Sequence, residues 1–391
     1  MSYLYSKLQK ITTIKTGKLD SNAAIENGIY PFFTCDPNTL RINTWAYDTE
    51  AVLLAGNNAS GNYTAKYYYG QFNAYQRTYI IESVDKEILN VRYLQYAMNQ
   101  QLKLLKVMSA GSTTKFLKLG MLQNLEIPFP DIETQRRIAS ILSAYDDLIE
   151  NNQKQIKLLE EAAQRLYKEW FADLHFPGYE NIKVVDGVPE GWRKCELGEL
   201  ECRIESGSRP KGGIDSSITH GIPSVGAENV IGLGKYNYSS EKLISEEFFS
   251  TMKKGKIQDR DILIYKDGAY IGRTSLFQDS FPHDIATVNE HVFLLHMEEE
   301  ILQYYIFFTL YQKEYFDKMQ KLNKNAAQPG INQKAIKSLD VIIPRIELIS
   351  KFNKCVSPIM KSIFSKAKQI NQCLEARDRL LPKLMSGELE V

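Results

Sequence analysis

No stretch of the chain comes near the roughly eighteen consecutive apolar residues of a membrane-crossing helix. The first twenty residues also lack the apolar core of a signal peptide, so a cytoplasmic protein is expected. Cysteine is scarce. Cys35, Cys195, Cys202, Cys355 and Cys373 are five among 391 residues, an odd number without CxxC spacing. That pattern speaks for reduced thiols rather than a disulfide framework. An excess of one charge is missing too: the formal net charge is +1, so any contact with nucleic acid must come from local basic patches. There is no GxxxxGK[ST] phosphate loop, because GLGKY at Gly232 has the wrong spacing. No glycine-rich fingerprint links a strand to a helix, so no nucleotide or S-adenosylmethionine site is visible. The histidines (His175, His220, His283, His291, His296) form no HExxH or other ligand spacing, and GSRPKGG at Gly207 reads as a turn. Catalytic residues, metal ligands and bound cofactors are therefore expected to be absent.

What is present is written twice. Residues 135–171 contain neither Pro nor Gly, and their apolar positions (Ile138, Leu142, Tyr145, Ile149, Ile156, Leu159, Ala163, Leu166, Trp170) alternate steps of four and three, interrupted only by Asn152. This is a coiled-coil stripe about 50 Å long at about 1.5 Å per residue, and so narrow an apolar face needs a partner helix. Adding 214 to each position gives Phe352, Val356, Ile359, Ile363, Lys366, Ile370, Cys373, Arg377, Leu380 and Leu384, with polar Lys366 where Asn152 stood. Antiparallel pairing is expected, with Asn152 and Lys366 near each other as polar register markers. NLEIPFPDIE at Asn124 matches SLDVIIPRIE at Ser338 at the same offset. Two copies of one unit predict internal pseudo-symmetry.

With 43% hydrophobic and 24% charged residues, the composition is that of a globular protein of two or three domains. The expected fold is mixed α+β: two pseudo-symmetric globular domains separated by two long helices that form an antiparallel coiled coil. The first domain covers 1–131, with β-rich runs AVLLAG, YTAKYYYG and AYQRTYIIE and a helix over 86–108. The first long helix covers 132–171, with Asp131 and Thr134 as candidate caps. A Pro/Gly-rich linker covers 172–190. The second domain covers 191–344, with a strand in DILIYKDGAYIGRTSLF and a helix over 300–322. The last helix covers 345–391, with a kink at Pro358 or a start at Ser357 expected.

Loops mixing aromatic, amide and basic side chains are the candidate binding surface, because Arg, Lys, Asn and Gln read base edges while Tyr and Lys suit phosphates. In the first copy the candidates are Asn57, Asn58, Tyr68 and Arg77, with Lys115 in the TTK loop. In the second they are Arg209, Lys211, Lys266, Tyr270 and Arg273, with Gln328, Asn332 and Lys334 in QPGINQK. Coiled-coil or docking positions are Ile138, Leu142, Ile149, Asn152, Ile156, Leu159, Leu166, Phe352, Ile363, Lys366, Ile370 and Leu380.

The duplicated layout, EIPFPDIETQRRIASIL, RLYKEWFADLHFPGYEN leading to VPEGW, QPGINQKAIKSLDVIIP and the terminal RLLPKLMSGELEV together resemble the specificity subunit of type I restriction-modification enzymes over the whole length. The resemblance implies a DNA-binding subunit without catalysis of its own. Each globular region would be a target recognition domain for one half of a split sequence. The helices would dock two modification subunits that methylate adenine with S-adenosylmethionine, and restriction subunits would bring ATP and Mg. The first copy departs from the second in lacking a PEGW opening, and GNNASGN at Gly56 matches KDGAYIG at Lys266 only loosely, so the halves are expected to read different sequences. Two alternatives stay open. A stand-alone DNA methyltransferase or nuclease would need motifs that are absent. A coiled-coil adaptor without DNA would leave two full α/β copies unexplained.

Overall fold

The computed structural model describes residues 3–57, 63–108, 117–215, 217–268, 270–322 and 330–391, with the side chains of 104–108 left aside. The candidates Asn58, Lys115 and Gln328 lie outside the described residues. The chain divides into two compact units, Met1–Ile149 with Gln372–Val391, and Glu150–Asn371.

In the first unit β1 (Tyr5–Lys7) leads through α1 (Leu8–Ile11) into β2 (Thr12–Thr16), β3 (Tyr30–Phe33), β4 (Leu40–Ile42), β5 (Tyr47–Ala55), β6 (Ala65–Ala74) and β7 (Thr78–Ser83). Then come α2 (Val91–Met108), α3 (Leu119–Gln123), β8 (Glu126–Pro128) and the first long helix, α4 (Ile132–Tyr167). Six strands form one sheet in the order β2-β7-β5-β6-β3-β4. The period of two in β5 splits its apolar residues. Ala51 and Leu53 join Phe33, Phe72 and Ile80 on one face, while Val52 and Leu54 pack with α2 on the other. Leu94, Ala97, Met98 and Leu102 recur at helical spacing on the buried side of α2. That helix begins at Val91 rather than at Lys86, because Asn90 Oδ1 accepts the Tyr93 N–H (2.8 Å) and caps it. Upstream, Asp85 Oδ1 accepts from Glu87 N (2.9 Å) in a turn.

After a small hairpin, β9 (Val184–Val185) and β10 (Val188–Pro189), the second unit runs β11 (Arg193–Glu196), β12 (Cys202–Ser206), β13 (Ile222–Val225), β14 (Leu243–Ile244), α5 (Glu246–Thr251), β15 (Ile262–Tyr265), β16 (Thr274–Leu276), β17 (Thr287–Val288) and β18 (Val292–Met297). It closes with α6 (Gln303–Leu310), α7 (Lys313–Lys321), α8 (Gln333–Lys337), β19 (Asp340–Ile343) and the second long helix, α9 (Ile346–Ser386). Its wiring repeats the first: β11–β19 answers β1–β8, the β12-β18-β15 order answers β2-β7-β5, and parallel β13–β17 answers parallel β3–β6. The repeat reaches single hydrogen bonds. Leu8 N to Leu125 O (3.0 Å) returns as Leu197 N to Leu339 O (2.8 Å), and Tyr75 N to Phe33 O (2.9 Å) as Asn289 N to Val225 O (3.0 Å). Where β6 is one strand, however, the second copy has β16 and β17 with residues 277–286 between them.

Three expectations change. DILIYKDGAYIGRTSLF is a hairpin, β15 and β16, because the Gly-rich KDGAYIG turns the chain. The helix expected over 300–322 is broken at Tyr311 and Gln312 into α6 and α7. α9 runs unbroken through Pro358. That proline sits on the exposed face, as does Lys354 one turn earlier, so the carbonyl left without its helical donor can bond to water.

Each unit holds its own stretch of paired long helices. α4 starts at Ile132, capped by Asp131 Oδ1, which accepts from Thr134 N (3.0 Å). In the first unit Ile138 and Leu142 are buried with Leu381, Leu384 and Met385, and Leu380 packs against them. Ile149 is buried as well, and Arg377 donates to Asp146 (2.7 Å). In the second unit Ile156, Ala163 and Tyr167 share a core with Phe352, Val356, Met360, Ile363 and Ala367, flanked by Leu159, Leu166 and Ile370. Here Asn152 meets Gln369 while Tyr167 meets Phe352 at 6.1 Å, so α4 advances as α9 runs back: the pairing is antiparallel. Buried Asn152 donates to Gln369 (3.2 Å), which lies three residues beyond the expected partner, half-buried Lys366. α4 ends in a π-helical turn, Lys168–Ala172, that places Phe171 at 5.1 Å and Trp170 at 6.3 Å from Phe352. The GLGKY loop also docks here: Glu160 of α4 is buried, accepts from Tyr311, and lies 3.4 Å from Lys235.

Candidate nucleic-acid interface

In each unit the same three chain segments come together at one end of the sheet. In the first, the β5–β6 loop is tied to the β6–β7 turn by Gly56 N to Arg77 O (2.8 Å), and Leu117 N, just after the TTK loop, bonds Gly56 O (3.0 Å). In the second, Lys266 N bonds His291 O (3.0 Å) and Ile331 N bonds Lys266 O (3.1 Å). Leu117 and Ile331, like Arg77 and His291, stand at the 214-residue offset of the helices. A fourth segment, following β2 or β12, is pressed against the same end. A Cβ on Gly17 would lie 2.1 Å from Ala74 O, and one on Gly207 would lie 1.7 Å from Val288 O. Only glycine fits at either position, and Ala74 and Val288 are again 214 apart.

Local forces set each candidate differently. Asn57 is half-buried and Arg77 is exposed on adjoining segments. Tyr68 is not part of this cluster. It lies within β6, packed on Phe33 (5.4 Å) and Phe72 (5.7 Å). In the second unit the Arg273 guanidinium stacks on half-exposed Tyr270 (3.9 Å), and Lys211 is exposed. Lys266 turns inward. Its ammonium donates to Glu290 O (2.9 Å) and lies 5.2 Å from the Phe293 ring centroid. Exposed Arg209 pairs through Nε with Glu290 Oε1 (2.8 Å). Asn332 caps α8, its Oδ1 accepting from Ala335 N (2.9 Å), with Lys334 exposed on that helix. Arg209, Asn289, Glu290 and His291 line a cleft of about 510 Å³ that extends to Tyr238 and Glu241.

The family described as "Type I restriction modification DNA specificity domain" matches residues 3–161 and again 189–376. The chain belongs to this family. It is 26% identical to the type I restriction enzyme EcoDI specificity subunit of Escherichia coli, over 98% of this chain and 88% of that protein. It is 30% identical to the MjaIX specificity subunit of Methanocaldococcus jannaschii, over 79% of this chain and 71% of that protein. A solved structure of a type I restriction-modification S subunit from M. genitalium shares the fold with a TM-score of 0.66 at 17% identity, covering 98% of this chain and 96% of that one. Among the described residues, no helix is long and apolar enough to cross a membrane.

Two residues at the convergence of this specificity domain escaped the sequence reading, Gln76 and Glu290. Glu290 is acidic, so a search for phosphate and base readers passes over it, whereas Gln76 is an amide of the kind such a search takes and was not singled out beside Arg77. The 214-residue offset was the signal that could have found them, since it sets Gln76 opposite Glu290 in the β6–β7 and β17–β18 turns.

Proposed function

We propose that this chain is the DNA sequence-specificity subunit of a type I restriction-modification assembly and reads a split sequence, one half per unit. The observation that carries this reading is the repeated convergence of loops: two copies of one hydrogen-bonded frame present different side chains. One frame used twice gives two reading heads of one design, and different loops give two different half-sequences. Arg, Lys, Asn and Tyr at those loops have the donors and flat rings that suit base edges and phosphates. The paired helices α4 and α9, the elements that pass from one unit to the other, are proposed to hold the partners: two adenine-modifying subunits and the restriction subunits. On this reading the chain does no chemistry itself. S-adenosylmethionine, ATP and Mg belong to those partners, and the assembly works in the cytoplasm.

The test is the methylome of the host with and without this gene. The proposal expects one split motif, modified on adenine, to vanish on deletion. An unchanged methylome, or loss of a continuous motif, would overturn it.

A further inference from the structure

The two convergences carry a second repeated device. In the first unit Gln76 of the β6–β7 turn donates to Asp20 Oδ1 (2.8 Å), across to the segment after β2. In the second, Glu290 of the β17–β18 turn grips Arg209 on the segment after β12 (2.8 Å). The position of the clasp is repeated while its chemistry is not, as expected of a place where the halves differ in what they read.

In the second unit that chemistry is specific. Glu290 Oε1 forms an ion pair with Arg209, 2.8 Å from its Nε, and His291 Nε2 is 3.5 Å from the same oxygen. Glu290 Oε2 is buried and has no hydrogen-bond partner, so Oε1 is the oxygen of this carboxylate that faces Arg209. Among the described residues, the two Nη nitrogens of Arg209 have no protein partner. A guanidinium drawn to a carboxylate at its Nε leaves the N–H groups of its two Nη nitrogens to act as a fork. That fork matches O6 and N7 of guanine in the major groove, the pairing best suited to an arginine held in plane. A lysine cannot copy it, because its ammonium is a point donor.

We infer that Arg209 reads a guanine in the second half-sequence and that Glu290 is its positioning residue. This rests on the specificity-subunit reading above and deepens it by naming a base and its reader.

The experiment compares methylomes of host cells in which the whole assembly contains the natural chain, Arg209→Lys or Glu290→Gln. Arg209→Lys should relax one G·C pair of the second half-sequence by on the order of 10-fold or more, leaving the first half and the spacer unchanged. Glu290→Gln removes the charge that fixes the fork but keeps the shape, so it should relax the same pair to a smaller degree. If both variants left preference at every position intact, or lowered methylation of all sites alike, the clasp would be structural and the inference overturned. Relaxation of an A·T pair would overturn it too. Should Arg209→Lys abolish methylation, binding of the purified full chain to duplexes differing at that one pair decides. Equal loss on all duplexes overturns the inference, and loss confined to the G·C duplex supports it. Deletion of the gene separates the two levels. A methylome unchanged by deletion sinks the specificity-subunit reading, whereas a motif erased by deletion but untouched by both substitutions sinks only the guanine assignment.

Discussion

Phe352 is a point where a change in packing should weaken the second unit. Its ring is fully buried on α9 and meets Tyr167 (6.1 Å), Trp170 (6.3 Å), Phe171 (5.1 Å) and Phe308 (5.8 Å). These partners come from α4, from its terminal π-turn and from α6, so one side chain ties the helix pair to its domain. Replacing a buried Phe by Ala costs about 3–5 kcal/mol in lost transfer energy and residual cavity. With four rings around it that cannot all collapse inward, the upper half of this range applies. At about 2–4 °C per kcal/mol for a unit of this size, Phe352→Ala should lower the melting temperature by roughly 8–20 °C. Phe352→Leu keeps most of the volume and should cost less than half as much. Differential scanning calorimetry with urea titration at fixed pH reads both. An alanine cost below about 1 kcal/mol, or equal costs for Ala and Leu, would refute the view that this cluster anchors the second unit to its helices.

Two further outcomes follow from particular contacts. Gly17→Ala and Gly207→Ala each push a Cβ into a carbonyl at 2.1 and 1.7 Å, so both should destabilise far more than Gly120→Ala, where nothing lies within 4 Å; urea melts of the three variants check the order. Glu241 is raised by burial but lowered further by His283 and Tyr236, leaving it below its ordinary 4.5, so its contribution is complete above about pH 4.5 and is lost as the pH falls below. Glu241→Gln should therefore flatten the acid limb of stability, and an unchanged limb in pH-dependent urea melts would contradict that.

The helices and the repeat were legible because both depend on spacing. An apolar stripe at steps of three and four needs no knowledge of the fold, and the 214-residue offset then matched hydrogen bonds as fine as Leu117 N to Gly56 O and Ile331 N to Lys266 O. The partner of Asn152 was less legible. The offset pairs Asn152 with Lys366 by position in the repeat, whereas antiparallel packing pairs residues by opposite progress along two helices and selects Gln369. Of the candidate loops, sequence composition singled out Arg209 and Arg273 because they are basic. It could not see that Lys266 turns inward to a carbonyl, or that acidic Glu290 grips a neighbouring arginine, because both depend on how separate loops meet.

The central claim is that one chain holds two reading heads on a common pair of helices. It is tested most directly by inserting seven residues into α4 after Asn152 and seven into α9 after Gln369, the residues that face each other across the pair. Seven residues keep the seam in phase to within about 20° and add about 10.5 Å, or about three base pairs at about 3.4 Å each. The account predicts a methylome with both half-sequences unchanged and a spacer longer by about three base pairs. New half-sequences with the old spacer would contradict it.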